Sequence, residues 1–174
     1  MRIAVIGAGG VGGGFGVALA KAGADVTFLA RGAHLAAMKR TGLKVGGGRG
    51  DTHLVPTQAT DNPAEIGKVD IVLFCVKLWD VDSAGAHIKP LIGANTAVIP
   101  LQNGIDAPER LIPILGKQAV MGGVGRSAPR SWHPAWSARS APSCACCSAS
   151  STAPRAHAAK HCGRCARRRA SMSR

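Results

Sequence analysis

Residues 3–16 read IAVIGAGGVGGGFG, four apolar residues running into ten positions of which seven are glycine. The apolar run has the length of a short buried strand, and residues 11–22 read as a small-residue helix stopped by Gly23. Between them Gly7, Gly9 and Gly12 fall at the spacing G-x-G-x-x-G. In a strand-to-helix context each glycine has a task. The first permits the tight turn, the second lets backbone approach a pyrophosphate, and the third lets the helix pack on the sheet. An anion placed there meets free N–H groups and the positive end of the helix dipole. Gly7, Ala8, Gly9, Gly10, Val11 and Gly12 are therefore the candidate cradle for a dinucleotide; the plainer alternative is a glycine-rich turn that holds nothing.

A strand feeding a helix in this way calls for a parallel sheet covered by helices, and the chain keeps that rhythm up to residue 124. Further strands are predicted at 25–29, 69–76, 96–101 and 119–124, and helices at 34–40, 82–88 and 108–115. Residues 69–76, VDIVLFCV, are apolar nearly throughout, as a central strand buried on both faces requires. Residues 43–45 and 53–55 are predicted to pair as a hairpin. Asp61-Asn62-Pro63 opens a helical turn, with a capping side chain ahead of a proline. The expected fold class is α/β: a Rossmann-type doubly wound, mostly parallel sheet of about six strands over residues 1–124.

Composition breaks at that same point. The chain has 174 residues and a formal net charge of +13. Residues 1–124 hold 12 Lys/Arg against 9 Asp/Glu, whereas residues 125–174 hold 10 Lys/Arg, no acid and no Leu, Ile, Val or Phe. The basic excess thus belongs to the tail and gives no ground for a specific nucleic-acid partner. Ala, Ser and Arg fill 31 of the last 50 positions, too little apolar surface to offset about 1–2 kcal/mol of ordering entropy per residue. A disordered or irregular low-complexity tail is expected over 125–174. Arg167, Arg168 and Arg169 would hold phosphates only weakly and without sequence preference. Cys162 and Cys165 form one C-x-x-C pair where a zinc site shows two, so no metal is expected. The run at 3–6 is broken by glycines, and no stretch approaches the ~18 apolar residues that span a bilayer. A cytoplasmic protein with reduced thiols and no membrane partner is expected.

The end of the second strand bears on which dinucleotide the cradle takes. NAD-preferring sites place an acid there to hold the ribose hydroxyls, but this chain reads Ala30-Arg31-Gly32. Arg31 offers a rigid fork of donors suited to a 2′-phosphate, which favours NADPH over NADH; the alternative is a solvated surface arginine. Lys77 directly follows VLFCV, at a strand mouth where a ribose, a phosphate or a substrate carboxylate would lie. Asn103, in Leu101-Gln102-Asn103-Gly104, either caps its loop or bonds the nicotinamide ribose or the substrate.

The segments RIAVIGAGGVGG, VTFLARG, DIVLFCVKLWD, IPLQNGID and VMGGV together resemble the amino-terminal domain of the ketopantoate reductase (2-dehydropantoate 2-reductase) family. The resemblance covers about residues 1–124. It implies NADPH-dependent reduction of 2-dehydropantoate, a small 2-oxo acid, to pantoate on the route to pantothenate and coenzyme A. It also implies that residues 7–12 hold the pyrophosphate, Arg31 meets the 2′-phosphate, and Lys77 and Asn103 line the cleft. In that family a second, helical domain supplies the proton-donating lysine and a glutamate. No catalytic residue is therefore assigned within residues 1–124, and little turnover is expected of this chain alone. The uncovered domain face would favour a homodimer or aggregation. The alternatives are a non-catalytic NADP-binding module and another NADP-dependent oxidoreductase sharing this half.

Ala, Arg, Ser, Pro and Cys in excess, without acids or large aliphatics, is what GC-rich DNA yields when read out of frame. The expectation is a frameshift near residue 124. Sequencing of the coding DNA checks it: a one-base shift near codon 125 should restore an aliphatic, acid-containing frame, and failure of every such shift refutes it.

Overall fold

The apolar runs form a parallel sheet whose order follows from the short connections between them. The computed structural model describes residues 1–46, 51–129 and 140–146. In chain order these contain β1 (Arg2–Ile6), α1 (Gly10–Lys21), β2 (Asp25–Leu29), α2 (Gly32–Thr41), β3 (Leu43–Val45), β4 (Thr52–Leu54) and β5 (Ala59–Thr60). Then follow α3 (Pro63–Ile66), β6 (Ile71–Phe74), α4 (Val81–His87), β7 (Ala97–Pro100), α5 (Asp106–Leu115), β8 (Val124–Pro129) and β9 (Ser140–Cys146). The main sheet has the order β5-β2-β1-β6-β7, all parallel. This is the doubly wound α/β arrangement expected from the sequence.

Alternation along the central strands divides the core between the two faces. Ala4, Ile6, Val72, Phe74 and Val98 turn to one face, where Ile66, Val81, Ile88, Leu111 and Leu115 cover them. Ile3, Val5, Val26, Phe28, Leu73 and Ile99 turn to the other, under Val17, Met38 and Leu43. The β3–β4 hairpin pairs as expected, Leu43 opposite Leu54 and Val45 opposite Thr52. Asn62 caps α3 by accepting from the Ala64 amide at 3.1 Å.

Three features differ from the sequence expectation. The two-residue β5, which follows the hairpin and forms the outer edge beside β2, has no hydrophobic pattern to announce it. The last strand of the sheet contracts to a single parallel bridge between Val98 and Val120, so five full strands are seen rather than six. Within the segment expected to be irregular, β8 and β9 pair as an antiparallel ribbon. A ribbon satisfies its own backbone groups without the aliphatic residues a core needs. The expectations for Cys162, Cys165 and Arg167–Arg169 lie outside the described residues. Among the described residues no helix is long and apolar enough to cross a membrane.

α1 packs so closely on the sheet that a β-carbon at Gly16 would lie 2.5 Å from Cε1 and 2.7 Å from Cζ of Phe28, a ring that is fully buried. At Gly14 nothing lies within 4 Å of that position. Gly16→Ala is therefore expected to destabilise by about 1–2 kcal/mol, overpacking outweighing better helix propensity. Gly14→Ala, with the propensity gain alone, is expected to stabilise by up to about 1 kcal/mol. Urea denaturation of both variants tests the pair.

Candidate dinucleotide-binding site

The register of the sheet puts the candidate residues on one edge. Ile6 lies opposite both Leu29 and Phe74, and Phe74 lies opposite Pro100, so four strands end level. The turns carrying Gly7, Arg31, Lys77 and Asn103 leave that edge side by side. β1 has β2 on one side and β6 on the other, and the winding of the chain reverses between them. Open α/β sheets bind ligands at this switch point, outside the carboxyl ends of the strands.

The glycine turn is pinched between neighbours. Gly7 has φ +91°, and a β-carbon on it would lie 3.0 Å from the carbonyl oxygen of Cys75. A β-carbon on Gly12 would overlap the carbonyl oxygen of Gly7 and lie 3.0 Å from Cys75 Cβ and Val5 Cγ1. Gly9 is different. It has the extended conformation φ −72°, ψ −163°, open to any residue, and nothing lies within 4 Å of its β-carbon position. The fold thus demands glycine at 7 and 12 but not at 9. Gly9 caps α1, whose first turn has neither a side-chain cap nor an acidic residue. The residues present fit a pyrophosphate: open space over Gly9 and helix N–H groups that no side chain has taken.

Arg31 is the N-cap residue of α2, with its side chain 88% exposed and Nη2 3.9 Å from Oδ1 of Asp80. His34, three residues further on, places Nε2 3.3 Å from the carbonyl oxygen of Ala8. Ala8 itself is buried, while Gly10 and Val11 begin the helix at intermediate exposure. Lys77 and Asn103 stand exposed on adjacent loops, and neither side chain has a hydrogen-bond or ionic partner among the described residues.

The loop after β6 is held from the next unit. Gln102 Nε2 donates to the carbonyls of Phe74 at 2.9 Å and Val76 at 3.1 Å, while its Oε1 is buried without a partner among the described residues. Arg110, on α5, donates to the Leu78 carbonyl at 2.7 Å and grips Asp82 through two hydrogen bonds of 3.1 and 2.6 Å. The hydrogen bond from Arg110 holds the Asp82 carboxyl below its usual range. Asp80, His34, Gln102 and Arg110 escaped the sequence reading, since what they do depends on partners distant in the chain. The nearest signal was position: Asp80 lies three residues beyond Lys77, and Gln102 adjoins Asn103.

Residues 3–129 match the family model described as ketopantoate reductase PanE/ApbA. The chain belongs to this family. It is 37% identical over 106 residues to a 2-dehydropantoate 2-reductase of Mesorhizobium japonicum, covering 60% of this chain and 32% of that protein. It is 34% identical over 124 residues to an uncharacterized oxidoreductase, YkpB, of Bacillus subtilis, covering 71% and 40% respectively. The crystal structure of 2-dehydropantoate 2-reductase from Porphyromonas gingivalis superposes with a TM-score of 0.68 at 41% identity, covering 80% of this chain and 51% of that one. The chain thus spans about two fifths of the length of the first two curated relatives or less.

In this ketopantoate reductase family member Cys75 lies beneath the glycine turn, and burial pushes its thiol up to about 12. The neutral thiol is a poor nucleophile. Cys75 is therefore expected to resist iodoacetamide at pH 8 until the domain unfolds, as peptide mapping of alkylated cysteines would show. The unfolded thiol titrates near 8.5. Stability contributed by the protonated form is complete below that pH and is lost as pH rises toward about 12.

Proposed function

We propose that this chain is the NADPH-binding part of an enzyme that reduces 2-dehydropantoate to pantoate. The observation that carries the cofactor assignment is Gly9, a glycine the fold does not require, at a helix N-terminus whose amides lack side-chain acceptors. A β-carbon there would stand in the space a pyrophosphate needs. Residues 7–12 hold the pyrophosphate, and the Arg31 fork meets the 2′-phosphate at the neighbouring strand end. Lys77 and Asn103, both with uncommitted side chains, line the side of the cleft where ribose and substrate lie. The bound reduced nicotinamide supplies a hydride to the 2-oxo carbon, and the alkoxide that develops needs a positioned proton donor.

Family membership supports the substrate, since several relatives bear the name 2-dehydropantoate 2-reductase. The proton donor is not assigned to residues 1–124: among the described residues Lys77 is the lysine that follows a strand end at this edge, and its place beside the glycine turn suits a phosphate or a ribose. Trp79 and Ile105, 76% and 86% exposed beside Lys77 and Asn103, fit an edge that a further element covers in the working enzyme. The 174-residue chain alone is accordingly expected to bind NADPH with little turnover.

Fluorescence titration with NADPH tests the cradle. Gly9→Ala should weaken binding at least tenfold while costing less than about 1 kcal/mol of stability, because only an N-cap preference is disturbed. Gly12→Ala should lose both binding and stability. Equal NADPH affinity in wild type and Gly9→Ala refutes the cradle; rapid 2-dehydropantoate-dependent NADPH oxidation by the chain alone refutes the missing donor.

A further inference from the structure

We propose that Asp80 sets the discrimination between NADPH and NADH by competing with the 2′-phosphate for Arg31; this rests on the reading that Arg31 meets that phosphate. Arg31 follows β2 and Asp80 lies beyond β6, and β1 runs between those strands. Adjacent strands are about 4.8 Å apart, so the pair reaches across the exit of the glycine turn to bring Nη2 within 3.9 Å of Oδ1. The contact therefore closes over the part of the crevice where an adenosine ribose would enter.

The carboxylate has no other task among the described residues. Asp80 precedes α4 without capping it through its side chain, and Ser83 donates to its backbone carbonyl at 3.1 Å instead. Asp82, the next acid along, is committed to Arg110. The Asp80 side chain is 33% exposed against 88% for Arg31, so the carboxylate is the fixed end of the pair and the guanidinium the free end. A 2′-phosphate must draw Arg31 away from Asp80 and then lie near a like charge. NADH brings no 2′-phosphate, leaves the pair intact, and offers ribose hydroxyls that can donate to the carboxylate. Asp80 thus penalises NADPH and not NADH, and it occupies the role of the acid that is missing from the end of β2.

The test compares Asp80→Asn and Arg31→Gln with wild type in the full chain. Kd is measured for NADPH, NADH, 2′,5′-ADP and 5′-AMP at low and high salt, with thermal melts to confirm folding. Asp80→Asn should tighten NADPH and 2′,5′-ADP by three- to tenfold, leave NADH and 5′-AMP within twofold or weaker, and lose most of its gain at high salt. In the Arg31→Gln background the gain should shrink, because the competed group is gone. If Arg31→Gln weakens NADPH selectively but Asp80→Asn leaves the NADPH-to-NADH ratio unchanged, the role of Asp80 is refuted and the cofactor reading stands. If Arg31→Gln weakens both dinucleotides equally, or none of the four nucleotides binds, the reading of Arg31 and this proposal fail together.

Discussion

The carbonyl oxygen of Gly7 occupies the space that a β-carbon on residue 12 would need, and the architecture of the edge depends on that contact. It fixes the height of α1 above β1 through backbone atoms, which cannot rotate aside as a side chain can. The second close approach, Gly16 against the Phe28 ring, fixes the far half of the same helix. Glycine is a poor helix former, about 1 kcal/mol worse than alanine per residue, and α1 contains several. Its stability must come from packing Val17 against sheet residues such as Val5 and Phe28, and the close contact that makes this burial possible needs the missing side chains. The positive end of the helix is thereby held over strand ends that register has already made level.

From that edge the loops leave with unequal freedom. The one after β6 is tied at Phe74 and Val76 by Gln102 and at Leu78 by Arg110, so the segment bearing Lys77 and Asp80 behaves as a platform. Arg31 is tied by its backbone as the N-cap of α2, while its guanidinium is largely solvated. A rigid acid facing a movable base is a suitable arrangement where an anion must be admitted and then gripped. The mobile partner can reorganise without disturbing the helix that follows it.

The sequence made legible what depends on neighbours in the chain. The glycine spacing, the apolar run at 69–76 and the residues just after strand ends could all be placed, because strand, turn and helix are local patterns. β5 was not legible: Ala59 and Thr60 form a strand only because β2 lies beside them. The final strand was overextended, since Ala119–Val120 is followed by Gly122 and Gly123 and only Val120 bridges to Val98. At the site, His34 acquires meaning from a carbonyl 26 residues away, Gln102 from one 28 away and Arg110 from one 32 away. No periodicity announces such partners, and Asp80 has no role visible in the sequence until the sheet brings Arg31 near it across β1.

The arginines with partners differ in what they hold, which bears on the proposed anion site. Arg2 donates to the carbonyls of Lys68 and Ile66 and lies 3.9 Å from Asp25. Arg110 donates to the Leu78 carbonyl and to both oxygens of Asp82. Each spends its fork of donors on the fold, as a structural arginine does. Arg31 donates to no backbone carbonyl among the described residues and makes one loose ionic contact. Lys77 beside it is likewise uncommitted. Residues 1–124 carry a net charge of only +3, and Arg31 and Lys77 are two cations near one edge of the sheet. Arg31 and Lys77 follow the carboxyl ends of β2 and β6, on either side of the N-terminus of α1. The proposed ligand, a 2′-phosphorylated dinucleotide, carries phosphates at two separated positions, a pattern that two cations flanking a helix N-terminus would suit.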